Sequence, residues 1–542
     1  MKFEQAIVGI GLLSVMGLPI SVEASDSKSI TLKQIGRYSA GASTVADEPR
    51  TEIAAYDPAS KRLFSINLKL RQLDVLDLSN PESQVLSPVQ TVPLGGKPNS
   101  VAIRDGIIAV AVEGTQKTDP GTVKFFNTSG ALLNTLTVGS LPDMLVFSPN
   151  GKWLLVANEG EPNSYNNNPV PSVDPEGSVS VIDMTPDVTS LTQLNVRTAT
   201  FSLAIPQQNA SSIRIYGPNA TFAQDIEPEY ITVSHDSKTA WVTLQENNAI
   251  GILDISTATF TKLVGLGFKD HSLTGNKLDA SDQDVPGASN NGIINIRNWP
   301  VFGMYEPDAI ASYRVKGETY LVMANEGDMR DYPPGFTEEA RVGTLTLDAA
   351  AFAAQGYSEV TNGPNGLRNN DNLGRLTVTN VNGAKELDTD TEFERLYVPG
   401  GRSFSIRRAD GTLVYNSGDE LEQRTKVLVP TLFNSNGTTA TFDTRSDNKG
   451  PEPEGVAIGK VSGRTYAFIG LERTGGVMVY DISKPTSPKF ATYINTAPTD
   501  LAPEGLFFIK KKEQSERQTP LGGLTRGQQY RHHLRDRERS TG

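Results

Sequence analysis

Carboxylates recur at fixed places in a phrase that this sequence repeats: a proline, an acidic or polar residue, and a short apolar run. Successive copies read K-P-N-S-V-A-I, L-P-D-M-L-V-F, E-P-E-Y-I-T-V, E-P-D-A-I-A-S, E-P-E-G-V-A-I and A-P-E-G-L-F-F. A second apolar run that ends in glutamate follows each of the first five copies. Oxygen ligands supplied by such repeats suit a hard cation such as calcium or magnesium.

Two sets of side chains result from this repeat. An inner set stands at the start of the first run and consists of Glu52, Asn99, Asp143, Glu229, Asp308, Glu454 and Glu504. An outer set ends the second run and consists of Glu113, Glu159, Glu246, Glu326 and Glu472. Further acids precede the proline or lie in nearby loops: Glu227, Glu306, Glu452, Glu161, Asp174, Glu176 and Asp328.

From these sets we predict a calcium site. Its expected ligands are Asp143, Glu159, Glu229, Glu246, Asp308, Glu326, Glu454 and Glu472. Calcium is favoured over magnesium because it tolerates irregular oxygen geometry, and an all-carboxylate set disfavours zinc. The structural alternative for each acid is a turn cap or an ion pair, for which Arg402 and Arg473 are candidate partners.

The elements that must position these acids indicate an all-β fold. Third and fourth apolar runs follow in most copies, as in G-S-V-S-V-I-D after Gly177. Seven four-stranded units of about 45 residues predict a β-propeller of the WD40 or YVTN type, with a solenoid as the alternative. In a propeller blade the start of the first strand and the end of the second meet on one face. Both acid sets should therefore surround one mouth of the central channel.

The predicted propeller domain covers residues 29–509. Its fifth blade, which begins at Glu306, is interrupted by an excursion from about residue 330 to residue 398. The segment from Ser29 is expected to complete the seventh blade. That C-terminal blade is incomplete, because the sequence after Phe508 lacks its second and third strands.

The amino-acid composition limits the classes of binding partner and the cellular compartments that suit this protein. A net charge of -12 and a pI near 5.1 argue against binding nucleic acid. Residues 1–24 read as a signal peptide, with an uncleaved anchor or a buried strand as the alternative, and no later segment is long enough to span a membrane. Without cysteine there is no disulfide or thiolate metal site. We expect an exported monomer, periplasmic, cell-surface or secreted, with an envelope or extracellular partner that the sequence does not specify.

Histidine is scarce, and this excludes a histidine-rich binuclear hydrolase site. Two of the four histidines lie near the C-terminus, at His532 and His533. His235 fits a turn. His271 stands in K-D-H-S-L-T-G-N-K-L-D-A-S-D, where it either supports a mouth-facing site or caps the loop.

Several long phrases resemble the choice-of-anchor I family of secreted bacterial proteins. They include V-A-N-E-G-E-P, D-P-E-G-S-V-S-V-I-D, F-K-D-H-S-L-T-G-N-K-L-D-A-S-D and I-N-I-R-N-W-P-V-F-G-M-Y-E-P-D-A-I-A-S-Y. That family is similar to the mesenchyme-specific cell-surface glycoprotein. The resemblance implies an extracellular propeller-like domain joined to different anchors in different relatives. Some relatives are labelled alkaline phosphatases and others are associated with mineral-forming matrices, so the resemblance leaves catalysis open and transfers no catalytic residue.

Residues 510–542 form a basic, polar tail that departs from this family pattern. Codons for Ser515 to Gly522, read one base later, can spell A-N-G-K-P-L-L-V, which resembles a missing strand. We hypothesise that the tail is an out-of-frame reading of the absent strands. The alternative is a basic tail that contacts an anionic surface.

Three functions remain open from the sequence. The first is a non-catalytic envelope or surface module that binds calcium, or a calcium-bearing partner, at the acidic mouth. The second is a metal-dependent phosphoesterase of alkaline-phosphatase type, in which carboxylate-held ions polarise a phosphate and activate water. The third is a lactonase-like propeller hydrolase.

Overall fold

The computed structural model describes residues 7–8, 30–39, 53–80, 85–165, 172–285, 292–333, 335–357, 359, 366–382, 392–497 and 502–510. Its architecture is a β-propeller, as the repeat predicts. Six of the seven repeat units form sheets in which the four expected strands are antiparallel and lie in chain order from the channel outwards. We number these sheets blades 1 to 6.

The strand bounds follow the repeated runs closely. Blade 1 consists of Ala54–Asp57, Arg62–Asn67, Gln72–Asp77 and Pro88–Pro93, and blade 2 of Pro98–Arg104, Ile107–Val112, Pro120–Asn127 and Leu132–Ser140. Blade 3 consists of Pro142–Phe147, Trp153–Asn158, Ser178–Asp183 and Val196–Thr200, and blade 4 of Pro228–Val233, Thr239–Leu244, Ala249–Asp254 and Thr259–Gly265. Blade 5 consists of Ile310–Val315, Glu318–Asn325, Ser403–Arg408 and Leu413–Asn416, and blade 6 of Pro453–Val461, Arg464–Leu471, Val477–Asp481 and Lys489–Ile494. A short fifth strand, Gln207–Gln208, adds in parallel to the outer edge of blade 4.

The middle strands are buried on both faces because each blade is packed between two others. Leu154, Leu155 and Val156, for example, are fully buried in blade 3 although they are consecutive. Leu155 belongs to the core shared with blade 4, and its two neighbours belong to the core shared with blade 2. This explains why the second run of each unit is continuously apolar. In a sheet with one solvent-exposed face, apolar and polar residues would alternate along the strand.

The seventh blade holds little of its expected sheet in the described residues. Its assigned strand, Phe507–Phe508, pairs with Ile7–Val8, which falls inside the predicted signal segment. Residues 30–37, which the sequence predicts as the closing strand, form no strand. Ile30 and Leu32 instead pack against the blade 6 core, and Phe507 packs against blade 1. Residues 511–542, which include the hypothesised out-of-frame stretch, lie outside the described residues.

A second hydrophobic core lies beside the propeller, built by two insertions that the sequence shows as separate. The connection between blades 4 and 5 supplies Phe268–Asp270 and Val301–Met304, and the excursion within blade 5 supplies Leu396–Val398 to the same three-stranded sheet. Trp299 and Phe352 are among its fully buried side chains. The excursion is therefore half of a joint insert, which we call the cap.

The remaining elements are short. The cap contains the paired strands Glu339–Arg341 and Thr377–Thr379, the hairpin strands Asp331–Tyr332 and Phe336–Thr337, and the helix Ala349–Ala354. A second helix, Glu420–Leu428, follows blade 5. Single 3-10 turns occupy Val188–Ser190, Gln193–Asn195, Ala210–Ser212, Val342–Thr344, Pro430–Leu432 and Thr439–Thr441. No helix in the described ranges is long and apolar enough to cross a membrane.

Candidate metal centre at the mouth of the propeller

A β-bulge after the repeated proline turns the inner acid toward the channel. In blade 4, Pro228 pairs with Leu244, and the next pair is Ile231 with Val242, so the first strand has one extra residue at Glu229. Proline suits the first position because it has no N–H to donate to the sheet, and bulges commonly re-aim a side chain next to a functional site. The same shift follows Pro98, Pro142 and Pro453.

Residues from the start of the first strand in all seven units line one cavity of about 430 Å³. Its lining from the inner strands includes Ile53, Asn99, Asp143, Glu229, Asp308, Glu454 and Glu504. Outer acids and loop residues complete the wall: Glu159, Glu326, Glu472, Asp328, Gln245, Lys449 and Arg473. A closed arrangement of units around one mouth accounts for this convergence, which an extended solenoid does not provide. Glu52 lies outside the described residues, and its neighbour Ile53 occupies the wall of unit 1.

Glu159, Glu229 and Glu246 form one close group of carboxylates. They offer ligand oxygens that all lie within 4.8 Å of one another. Glu229 Oε2 and Glu246 Oε2 are buried and accept no hydrogen bond, and Glu246 is only 4% exposed. In the described part of the chain, no lysine or arginine forms an ion pair with any of the three. We call this group the glutamate triad.

Burial and mutual repulsion dominate the electrostatics of the triad. Burial, then Glu161 and Asp143, raises the pKa of Glu159 well above its usual value. For Glu229, burial and then the charge of Glu246 raise the pKa strongly. Burial likewise raises the pKa of Glu246, and the neighbouring Asp143 reaches a pKa of about 7, again chiefly through burial. Three carboxylates at this spacing ionise together only when a cation neutralises them.

The opposite side of the cavity contains its own cations. Asp308, Glu326 and Glu454 form a second close group, and Glu454, Glu472 and Glu504 a third. Lys449 Nζ lies 2.5 Å from Glu326 Oε1, and Arg473 Nη2 lies 3.0 Å from Glu472 Oε1. These two positive side chains neutralise part of the charge, so this side has less need of a bound ion than the triad has.

The glutamates that precede the prolines are held by cationic side chains. Glu227 accepts a hydrogen bond from Arg330 at 3.2 Å, and Glu306 one from Arg214 at 2.7 Å. Glu452 is surrounded by Arg445, Lys449 and Arg473, which keep its pKa below the usual value although it is buried. At these three positions the acid therefore forms ion pairs within the protein, as the structural alternative predicts.

Arg214 and Arg330 extend the ion-pair network into the cap. Arg214 also pairs with Glu338, and the guanidinium carbons of Arg214 and Arg330 lie 4.2 and 4.6 Å from the ring centre of Tyr216. Arg330 additionally pairs with Asp225. The cap is thus attached by buried charges to the connection that leads into blade 4.

A hairpin of the cap reaches the mouth-side loops of blades 2 and 3. The Tyr332 ring centre lies 5.2 Å from that of Tyr165 and 5.3 Å from Lys117 Nζ, and Phe336 packs on Tyr165 at 5.5 Å. Lys117 and Tyr165 both follow the second strands of their blades, on the same face as the triad. The excursion therefore covers part of the rim of the mouth.

Other acids named from the sequence lie in different surroundings. Glu113 is paired with Lys97 at 2.8 Å, and Glu161 is paired with Lys117. Burial raises the pKa of Asp174 to about 6, while Glu176 is exposed. Neither candidate arginine contacts the triad: Arg473 pairs with Glu472, and Arg402 pairs with Glu422 away from the mouth.

Neither histidine of the described chain belongs to the cavity wall. His271 is fully buried, and its Nδ1 is 2.6 Å from the carbonyl oxygen of Asn276. Burial holds the pKa of His271 well below its usual value, so the ring is neutral and donates from Nδ1. His271 caps its loop. His235 lines a shallow depression with Pro149 and Arg314.

Two features of the site have no local signal in the sequence. Lys449 enters the cavity from the connection between blades 5 and 6, and Arg330 reaches Glu227 from a position 103 residues away. The phrase G-P-E-P-E-G identifies two acids of the repeat, and Lys449 directly precedes it in the sequence. Nothing in the repeat itself indicates that this lysine pairs with the acids.

Comparison with known proteins gives the family. The family model described as "Choice-of-anchor I domain" matches residues 52–485. The chain belongs to the choice-of-anchor I family. Membership of this family indicates a surface-associated or exported protein.

Relatives of this choice-of-anchor I protein match over part of their length. It is 27% identical over 328 residues to the mesenchyme-specific cell surface glycoprotein of Strongylocentrotus purpuratus, covering 54% of this chain and 40% of the relative. It is 37% identical over 117 residues to Gigasin-3a of Magallana gigas, covering 20% of this chain and 40% of the relative. The chain thus spans less than half the length of both.

Solved structures similar to this choice-of-anchor I protein include two with high coverage. The periplasmic gluconolactonase PpgL of Pseudomonas aeruginosa aligns with 12% identity and a TM-score of 0.37, over 85% of this chain and 88% of that one. The Swd1 β-propeller domain of Myceliophteria thermophila aligns with 8% identity and a TM-score of 0.36, over 82% and 86%.

Proposed function

We propose that this protein is an exported, non-catalytic β-propeller binding module whose mouth binds calcium through the glutamate triad, with Asp143 beside it. The observation that carries the proposal is the pair of buried, unpartnered oxygens, Glu229 Oε2 and Glu246 Oε2, in a group without a cationic partner among the described residues. An ion between the three carboxylates replaces their repulsion by attraction.

The chemistry of the donor set favours calcium. All the donors are oxygen atoms, as calcium and magnesium prefer, and they come from two different blades with no common symmetry. Magnesium requires near-ideal octahedral geometry at short distances, whereas calcium accepts six to eight oxygens in irregular arrangements. Extracellular calcium modules also bind weakly, which suits a site open to solvent through a channel.

A binding role suits the remainder of the wall. Its described charged side chains are mainly carboxylates, with Lys449 and Arg473 already engaged by Glu326 and Glu472. No histidine is among the lining residues. A calcium ion held at such a mouth offers open positions to a carboxylate or phosphate group of a partner on the surface. The name of the glycoprotein relative places that protein at the cell surface, which agrees with a partner of this kind.

Calcium titration of the chelator-treated chain, followed by calorimetry, tests the proposal. Glu229→Gln and Glu246→Gln should each weaken calcium binding by about tenfold or more, because each removes one unit of charge at the ion. Glu113→Gln is the matched control: it changes the same repeat position in blade 2, where the carboxylate is already paired with Lys97. Equal affinity in all variants and the wild type would exclude the triad as the site.

Turnover assays separate binding from catalysis. The calcium-loaded chain should not hydrolyse p-nitrophenyl phosphate or a simple lactone. Hydrolysis that disappears both with chelator and in Glu229→Gln would overturn the non-catalytic assignment and establish a metal-dependent hydrolase at the same site.

A further inference from the structure

The hairpin of the cap has a base that is fixed beside the mouth. Its strands, Asp331–Tyr332 and Phe336–Thr337, lie between Arg330 and Glu338 in the chain. The backbone N–H of Glu338 donates to the carbonyl oxygen of Arg330 at 3.0 Å, and both residues are buried. The hairpin therefore has a defined position relative to the propeller.

One guanidinium connects this base to the glutamate triad. Arg214 pairs with Glu338 at the base of the hairpin, and its Nη1 also donates to the carbonyl oxygen of Glu246 at 2.9 Å. Arg214 is buried, so this connection is not weakened by solvent. The position of the hairpin is thus coupled to the position of a triad residue.

The tip of the hairpin carries Tyr332 to the rim of the mouth. The Tyr332 ring packs edge-on against Tyr165, and Lys117 Nζ lies 5.3 Å from its centre. Lys117 in turn pairs with Glu161. After burial, Glu161 is the neighbouring charge that most raises the pKa of Glu159, so this part of the rim lies close to the triad.

Four carboxylates of the mouth act on the Tyr332 hydroxyl. Burial and then these carboxylates raise the pKa of Tyr332 far above its usual value; in order of effect they are Glu161, Glu227, Glu246 and Glu159. Two of the four belong to the triad. The hydroxyl therefore lies among acids of the mouth and remains protonated, as a hydrogen-bond donor.

Donors at this part of the rim have no acceptor within the described chain. The O–H of Tyr332 forms no hydrogen bond with another described residue. Lys117 uses one of its three N–H donors for Glu161, and its side chain is 36% exposed. Two donors that a ligand can reach thus stand beside a wall that otherwise consists mainly of acceptors.

We propose that Tyr332 and Lys117 hold an oxyanion, a carboxylate or phosphate group of the partner, that also coordinates calcium at the triad. This inference rests on the proposed function, because without the ion the acids of the mouth repel an anion. Calcium takes six to eight oxygen ligands, more than the triad supplies with one oxygen from each residue. An oxyanion provides further oxygens, and those that face away from the ion accept hydrogen bonds from the two donors.

The recognition site depends on the cap, although the ion site comes from the repeat. Tyr332 belongs to the excursion within blade 5, and Lys117 precedes the third strand of blade 2. Neither position recurs in the repeated phrases. The cap hairpin therefore gives the mouth its selectivity for an anionic partner.

Two simple probes, methyl phosphate and acetate, test for the oxyanion and distinguish its sources. Ligand-observed NMR on the full, calcium-saturated chain should show binding of at least one probe, and a chelator should abolish it. Binding of methyl phosphate alone identifies a phosphate-bearing partner, and binding of acetate alone identifies a carboxylate-bearing one. No binding of either probe, or binding that persists in chelator, would overturn the proposal.

Two variants test the donors. Tyr332→Phe retains the ring and its packing on Tyr165 and removes only the hydroxyl, and Lys117→Gln removes the ammonium. Each should weaken probe binding about fivefold, as expected for the loss of one hydrogen bond. Tyr165→Phe is the matched control, because it removes a buried hydroxyl of the same aromatic group and should leave probe affinity unchanged. Wild-type probe affinity in either donor variant would contradict the two-donor site.

Calcium affinity, measured in parallel by calorimetry, separates this inference from the proposed function. Lys117→Gln removes a positive charge near the triad, so it should lower probe affinity without lowering calcium affinity. A loss of probe binding that is fully accounted for by weaker calcium binding would mean that the residue has only a structural role. Calcium binding without probe binding would exclude this inference alone, whereas a wild-type chain that binds no calcium would exclude both proposals.

Discussion

Glu227 and Glu229 flank the same proline but have opposite electrostatic surroundings. Glu227 lies 3.2 Å from the Arg330 guanidinium, whereas Glu229 has no ion-pair partner in the described part of the chain. The bulge at Glu229 separates the two side chains, so that one faces the cap and the other the channel. The repeated phrase therefore contains one structural acid and one acid available to a ligand.

Removing one charge from the triad should stabilise the metal-free protein. Glu246→Gln relieves repulsion with Glu159 and Glu229, and we expect the free energy of unfolding in chelator at mildly alkaline pH to rise by roughly 1 kcal/mol or more. Calcium should stabilise the wild type, because it binds the folded state, and should stabilise the variant much less. Thermal unfolding with and without calcium measures both effects.

A decrease in the free energy of unfolding of metal-free Glu246→Gln would contradict this prediction. Glu113→Gln should lower stability or leave it unchanged in chelator, since its carboxylate has a lysine partner. A loss of stability in metal-free Glu246→Gln, similar to that of an ordinary core substitution, would show that Glu246 is a structural cap.

Arg330→Met should destabilise the protein strongly. Arg330 is 3% exposed and pairs with Asp225 and Glu227, so its removal leaves two buried carboxylates without this cationic partner. Breaking a buried ion pair on one side costs about 3–5 kcal/mol. Chemical denaturation should show this loss, and adding Asp225→Asn with Glu227→Gln should recover part of it.

The control for Arg330 is an exposed ion pair. Arg408 lies 3.2 Å from Glu318 on the surface of blade 5, and Arg408→Met should change stability little, because solvent screens such pairs. Equal effects of the two arginine substitutions would contradict the role assigned to Arg330.

The inner acids were predictable because their signal is local and repeated. Proline, acid and an apolar run define the start of a strand at Glu229 as clearly as at Asp143, and the propeller places these starts around one channel. The partners of the acids were not predictable in this way. Arg330 meets Glu227, and Asp443 meets the loop of Asp279, only after two insertions have packed into a common core, and no periodic pattern in the sequence records such a contact.

The seventh blade shows a second limit of sequence reasoning. Residues 30–37 have the alternation of a strand, yet alternation specifies only the faces of a strand and not the neighbour with which it pairs. Ile30 and Leu32 use their apolar side chains to pack on the core of blade 6.

Gly177→Ala should disturb the mouth without changing a ligand. A Cβ at Gly177 would lie 1.9 Å from the carbonyl oxygen of Ile226 and 2.8 Å from Pro228 Cδ, where blade 3 meets the start of blade 4. Relief of this overlap displaces the strand that carries Glu229. We expect a loss of about 1–3 kcal/mol in stability, together with weaker calcium binding.

Gly106→Ala is the control for this substitution. Gly106 has a positive φ of 78° but open space around its Cβ position, so alanine there should cost only about 1 kcal/mol of backbone strain and leave calcium affinity unchanged. Calorimetric titration of each variant with calcium measures the two affinities. Wild-type calcium affinity in a folded Gly177→Ala would show that the contact between blades 3 and 4 does not position the triad.

Lys269 should make stability rise with pH above neutrality. Its ammonium is buried and donates to the carbonyl oxygens of Gly401 and Gly418, both at 2.7 Å. Burial lowers the pKa of Lys269 to about 7, with Arg402 lowering it further and Glu422 and Asp419 opposing the shift. Between this value and the ordinary 10.5, the unfolded chain binds more protons than the folded one, so stability increases with pH across that window.

Denaturation at a series of pH values should therefore give a steeper rise for the wild type than for Lys269→Met, by up to about 1.4 kcal/mol per pH unit. Parallel curves for the two proteins would show that Lys269 remains charged in the folded state throughout this range.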